Sequence, residues 1–215
     1  DATNDDFLAF NADDCVTRRE NLGTICGPID NIVVHDVRAE NCYTLIRMLS
    51  VNSPITNISI SGIKAGCRYF FLNMDGARYC RTPLIPTDSE RFYSGAGEIR
   101  NVEISDVDVS FHADVKARFC VETNVDNVRV RNYRSSDPIK APCAVAVNCK
   151  KTRFILEGVE KDVAEKLAAE SSCKSVKTVS EADCGGREAY RVEAVKDPGE
   201  RLVIPAGGFD ELKIN

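Results

Sequence analysis

The chain has only two histidines in 215 residues, His35 and His112, and none of its ten cysteines falls in a Cys-x-x-Cys pair. A zinc site built from the usual nitrogen and sulfur donors is therefore not expected, and no cofactor is implied. Its 28 basic residues are scattered among 33 acidic ones, for a net charge of −5. Without a clustered basic face, nucleic acid is not an expected partner. No run approaches the roughly 20 apolar residues that span a bilayer, so no membrane partner is expected. No basic-then-apolar segment opens the chain either, which leaves the compartment undetermined.

What is present is a large apolar fraction, 43%, enough for one domain with a substantial core, alone or with a small appendage. The even number of cysteines has two readings. It suits disulfides, but Cys42, Cys67, Cys120, Cys143 and Cys149 lie in or beside apolar segments, where a free thiol packs as a small hydrophobe. The second reading, mostly free thiols, is preferred.

The chain repeats itself. Ile29-x-Asn31-Ile32-x-Val34-x-Asp36-Val37 recurs as Ile55-x-Asn57-Ile58-x-Ile60-x-Gly62-Ile63, Ile99-x-Asn101-Val102-x-Ile104-x-Asp106-Val107 and Val125-x-Asn127-Val128-x-Val130-x-Asn132-Tyr133. The alternation is that of strands with one buried face. The steps from Ile29 to Ile55 and from Ile99 to Val125 are each 26 residues; the middle step is 44, one repeat plus an 18-residue insertion. The insertion falls within about 76–98, where Pro83, Pro86, Gly95 and Gly97 mark a surface loop. A second apolar strand follows each pattern: Thr44–Leu49, Tyr69–Met74, Ala117–Val121 and Cys143–Val147, with Phe7–Asn11 as an earlier member.

Short strands at this spacing, with no helix between them, predict an all-β, right-handed parallel β-helix over residues 1–150. Its first residues already read as turn and strand, so the chain is expected to begin partway through the repeat array. Stacking would align Asn31, Asn57, Asn101 and Asn127 into a ladder of amides bonded from repeat to repeat. After about Lys150 the pattern stops. Residues 151–215 are expected to form a small α+β cap or a separate binding appendage, with a helix over Val159–Ala169 and strands at Glu188–Glu193 and Arg201–Ile204.

Asn4-Asp5-Asp6-Phe7-Leu8-Ala9-Phe10, followed by Gly27-Pro28-Ile29-Asp30-Asn31-Ile32-Val33-Val34, resembles the pectin-lyase-like β-helix superfamily. Within it the chain is similar to the polygalacturonase-like glycoside hydrolases, over residues 1 to about 150. The resemblance implies an inverting hydrolase of an acidic-sugar polysaccharide, with Asp5 and Asp6 as the matching catalytic carboxyls and a third aspartate before residue 1. One carboxyl protonates the leaving oxygen while carboxylates across the sugar activate water. The chain departs from the family at two places. The expected Gly-His-Gly is absent from Cys42–Leu49, and Arg68 is followed by Tyr69 and Phe70 rather than completing Arg-x-Lys.

Each candidate has a plainer reading beside the functional one. Asp5 and Asp6 are acid and base, or a polar turn before a strand, as Asp13-Asp14 is after it. Arg78, Tyr79, Arg81, Arg91, Phe92 and Tyr93 gather on the insertion beside the strand carrying Arg68 and Asn73. They bind uronates and sugar rings, or simply pack over the repeats. Arg47 and Arg68, on corresponding strands, line a groove for an acidic sugar or form an exposed charged face. His35 and His112 are expected to face solvent and receive no role. The expected partner is a polysaccharide or oligosaccharide; the alternative to hydrolysis is a non-catalytic module that binds a glycan or a protein.

Overall fold

The computed structural model describes residues 5–13, 26–76, 97–112, 117–121, 123–135, 145–147, 152–159, 165, 175–181 and 189–196. The described residues form eleven strands: β1 Leu8–Asn11, β2 Ile29–His35, β3 Arg38–Leu49, β4 Ile55–Asp75, β5 Ile99–Phe111, β6 Ala117–Val121, β7 Val125–Ser135, β8 Val145–Val147, β9 Thr152–Val159, β10 Ser175–Glu181 and β11 Ala189–Lys196. The chain is all-β and most of its pairing is parallel. The sheet runs β1-β3-β4-β5-β7-β9-β11-β10, with β2 also on β4 and β6 on both β4 and β8.

Equivalent positions of the sequence repeat are register partners. Ile29 lies opposite Ile55, Ile55 opposite Ile99, and Ile99 opposite Val125. The 44-residue middle step therefore spans one rung like the others. Parallel pairing continues past Lys150, since β9 lies on β7; β11 then pairs antiparallel with both β9 and β10. Of the expected helix, Val159 closes β9 and Glu165 is helical, while its other residues lie outside the described set. Arg201–Ile204 also lies outside it. No helix among the described residues is long and apolar enough to cross a membrane.

The spacing predicts separate short strands within each repeat; the structure joins them, most fully in the 21 residues of β4. The physical reason is the residue after Ile-x. Asn31, Asn57, Asn101 and Asn127 have φ of 59°, 56°, 54° and 53°, and Asp36, Gly62, Asp106 and Asn132 form a second row at 57°, 65°, 56° and 50°. Asn, Asp and Gly tolerate this left-handed conformation best. Each such residue turns the chain and shifts the inside-outside alternation by one, so buried residues fall at Ile55, Ile58, Ile60, Ile63 and Ala65 rather than at strict steps of two. The same interior continues around the bend.

The core is the inward row of these strands, with Phe71 meeting Phe119 and Tyr133 edge-on and those two rings tilted on each other, at ring-centroid distances of 5.2–5.7 Å. The expected amide ladder forms outside it. Asn57 donates to Asp30 at 2.8 Å, Asn101 to Asn57 at 3.2 Å and Asn127 to Asn101 at 2.9 Å; Asp30, not Asn31, is the acceptor on the first rung. Exposed bonds of this kind contribute roughly 0.5–1.5 kcal/mol each, against roughly 1.5–3 kcal/mol for each buried Ile or Val. The core supplies the stability and the ladder helps fix the register. Cys42, Cys67 and Cys120 are buried thiols outside any disulfide, whereas Cys26 is disulfide-bonded.

Candidate functional site

Asp5 and Asp6 precede β1, and the Phe7 amide docks them by donating to the Thr44 carbonyl at 2.8 Å. They part company in their surroundings. Asp5 is exposed and accepts the Asp6 amide at 2.9 Å, the local bond of a polar turn. The Asp6 side chain is 9% exposed and lies 3.4 Å from Nη1 of Arg47. Burial raises the Asp6 pKa above the ordinary carboxylate value; the Arg47 charge and a Thr44 hydroxyl bond oppose the shift, and the Asp5 charge adds to it. Asp6 is thus the carboxyl suited to carry a proton.

Arg47 is held by Asp75. Its Nη2 is 2.9 Å from Asp75 Oδ2, and its Nε lies 3.3 and 3.2 Å from the two Asp75 oxygens. With Asp75 at 1% exposure and Arg47 at 19%, two carboxylates enclose one guanidinium instead of leaving it open to solvent. Asn73 is the register partner of Arg47 and is buried.

Beside Asp6, two irregularities in the β3–β4 pairing build an aromatic surface. Glu40 and Asn41 together oppose Gly66, and Arg68 and Tyr69 together oppose Tyr43, so the register slips one way and then back. The second slip brings Tyr43 onto Tyr69, stacked at 4.5 Å between centroids and 17° between planes, with the Arg68 guanidinium carbon 6.0 Å from the Tyr43 ring centre. Burial raises the Tyr43 pKa first; a side-chain bond with Tyr69 and the charges of Tyr69 and Asp6 add to this, against Arg68. The neighbouring Cys42 thiol donates to the Gly66 carbonyl at 3.1 Å, and burial pushes its pKa to about 11, which leaves it a packing residue rather than a nucleophile.

The structure thus brings together Asp6, Arg47 and Arg68 of the residues singled out from sequence, and adds Tyr43, Tyr69 and Asp75. The missed tyrosines carry a sequence signal only in hindsight: each follows a register-paired cysteine, but at unequal spacing, which the slip absorbs. Arg78, Tyr79, Arg81, Arg91, Phe92 and Tyr93 lie outside the described residues. His35 is exposed and 2.9 Å from Asp36; His112 is exposed, and its backbone amide donates to the Cys67 carbonyl. Among the described residues no group of three or more His, Cys, Asp or Glu is placed to hold a metal ion. No family model, curated protein or solved structure matches the chain.

Proposed function

We propose that the chain is a right-handed parallel β-helix protein of polygalacturonase-like type, acting on an acidic-sugar polysaccharide along the face that carries Asp6. Agreement between the 26-residue repeat and the parallel register supports the winding. The observation that carries the function is one shielded carboxyl with a raised pKa beside a tyrosine stack and an arginine. A sugar ring lies on the Tyr43 face, and its carboxylate pairs with Arg68. Asp6 donates its proton to the glycosidic oxygen as the bond to the anomeric carbon breaks. A water, deprotonated by a second carboxylate, adds to that carbon from the opposite side and inverts it. Asp5 is the candidate for the second carboxylate within the described residues.

A second reading, glycan binding without turnover, is favoured by the capture of Asp75 by Arg47, which withdraws that carboxylate from water activation. The two separate in one experiment. The chain is mixed with polygalacturonate, reducing ends are counted, and its retardation in a gel containing the polymer is measured. Turnover abolished by Asp6→Asn supports hydrolysis. Retardation without turnover, lost in Tyr43→Ala, supports binding alone, and absence of both overturns the proposal.

A further inference from the structure

Ahead of Tyr43 and Arg68 on the same strands, the sheet presents another outward column. Arg38, Lys64, Asp108 and Arg134 are register partners on successive rungs, and all four are exposed. A groove of about 490 Å³ opens beside them, floored by Ala39, Ala65 and Gly66. That is within the range that holds a ligand of a few rings. The first register slip shapes the floor: Glu40 and Asn41 bulge over Gly66, where a Cβ would collide with the Glu40 carbonyl oxygen.

The upper part of the groove is cationic. Nη1 of Arg38 is fixed by the Gly62 carbonyl at 2.9 Å and that of Val37 at 3.2 Å, which consumes none of the guanidinium charge. Lys64 stands one rung away and makes no ion pair among the described residues. Arg38 and Lys64, like charges directly opposite on neighbouring strands, repel; Asp108 opposes Lys64 on its other side, so an anion is favoured on the Arg38 side. The rest of the wall selects which anion. Glu40, Asp108 and Ser110 line the same groove; carboxylates repel a densely charged phosphate or sulfate polymer but accept hydroxyl donors. A uronate, with one carboxylate and several hydroxyls per ring, satisfies both halves. A second hollow of about 310 Å³, lined by Asp106, Val107, Asp108, Asn132 and Arg134, shares Asp108 with the groove.

We infer that this groove is a second binding site for an acidic sugar chain, with a carboxylate on Arg38 and Lys64 and hydroxyls on Glu40, Asp108 and Ser110. It rests on the carbohydrate reading of the Asp6 face but is lined by other residues than that site. The test is calorimetric titration of the full chain with a short oligogalacturonide, in the wild type, Lys64→Glu, Arg38→Ala and Tyr43→Ala. Two classes of site are expected. Lys64→Glu and Arg38→Ala each weaken one class about tenfold or more and leave the other, which Tyr43→Ala weakens instead. Binding that responds to Tyr43→Ala but to neither groove variant overturns the groove while sparing the function. No binding by the wild type overturns both. A neutral oligosaccharide that binds the groove as tightly removes the carboxylate from the argument and overturns the inference.

Discussion

The Asn127 side-chain amide donates to the Asn101 side-chain oxygen at 2.9 Å across one rung, and both residues hold positive φ, 53° and 54°. Bond and backbone make separate demands on the residue. Asn101→Ala loses the ladder bonds and places a Cβ without local compensation in the left-handed region, for a cost of about 2 kcal/mol. Asn101→Gly keeps the backbone at ease and costs about 1 kcal/mol. Urea unfolding of the two variants measures the difference; equal losses would make the backbone argument wrong.

Asp13 is fully buried and gathers a turn. Its Oδ2 accepts the amides of Val51, Asn52 and Ser53 at 2.7, 2.6 and 2.7 Å, and Oδ1 accepts the Ser53 hydroxyl at 2.8 Å. Asp13→Ala leaves donors without an acceptor and should cost about 3 kcal/mol. Asp13→Asn should fall between wild type and Ala. Faster hydrogen exchange at residues 51–53 is the accompanying local signature.

Asp6 predicts a pH dependence whose sign follows from its raised pKa. The folded chain holds this proton more tightly than the unfolded chain, so above the unfolded value the folded state binds more protons. The stability this group contributes is then lost as pH rises through the folded pKa. Asp6→Asn cannot titrate. Unfolding midpoints measured between about pH 4 and pH 7 should move in favour of the variant as pH rises; a trend in the other direction would mean that Arg47 outweighs burial.

Arg118 is fully buried, none of its guanidinium nitrogens has a hydrogen-bond partner among the described residues, and the Phe111 ring centre lies 5.0 Å away. Desolvating an unpaired charge costs several kcal/mol, more than the roughly 2 kcal/mol such a ring returns. Arg118→Met, similar in length and apolar, should raise stability by about 1–3 kcal/mol and the melting temperature by about 3 °C or more. A lower melting temperature would show that the guanidinium has an acceptor that stabilises it.

Much of the sheet is legible locally because a strand's alternation and its left-handed residues are both written in single side chains. Ile99, Val102, Ile104 and Val107 give the buried face, and Asn101 and Asp106 give the bends. What the alternation cannot reveal is whether a bend ends a strand, since pairing across the rung decides that; hence β4 is continuous where two strands were expected. The candidate site was less legible. Asp6 could be singled out by its neighbour Asp5, but nothing near it in sequence foretells its exposure. Arg47 looked like an outward cation because strand position predicts direction and says nothing of Asp75, 28 residues on.

The sequence alone determined the repeat, its register and the residues that turn the chain, because these depend on spacing and on the intrinsic backbone freedom of Asn, Asp and Gly. Tertiary structure alone decided which side chains meet at the candidate site. Asp6 shares Arg47 with Asp75, and a one-residue slip lays Tyr43 on Tyr69, because charge pairing and ring stacking act over a few ångströms between rungs that sequence separates by dozens of residues.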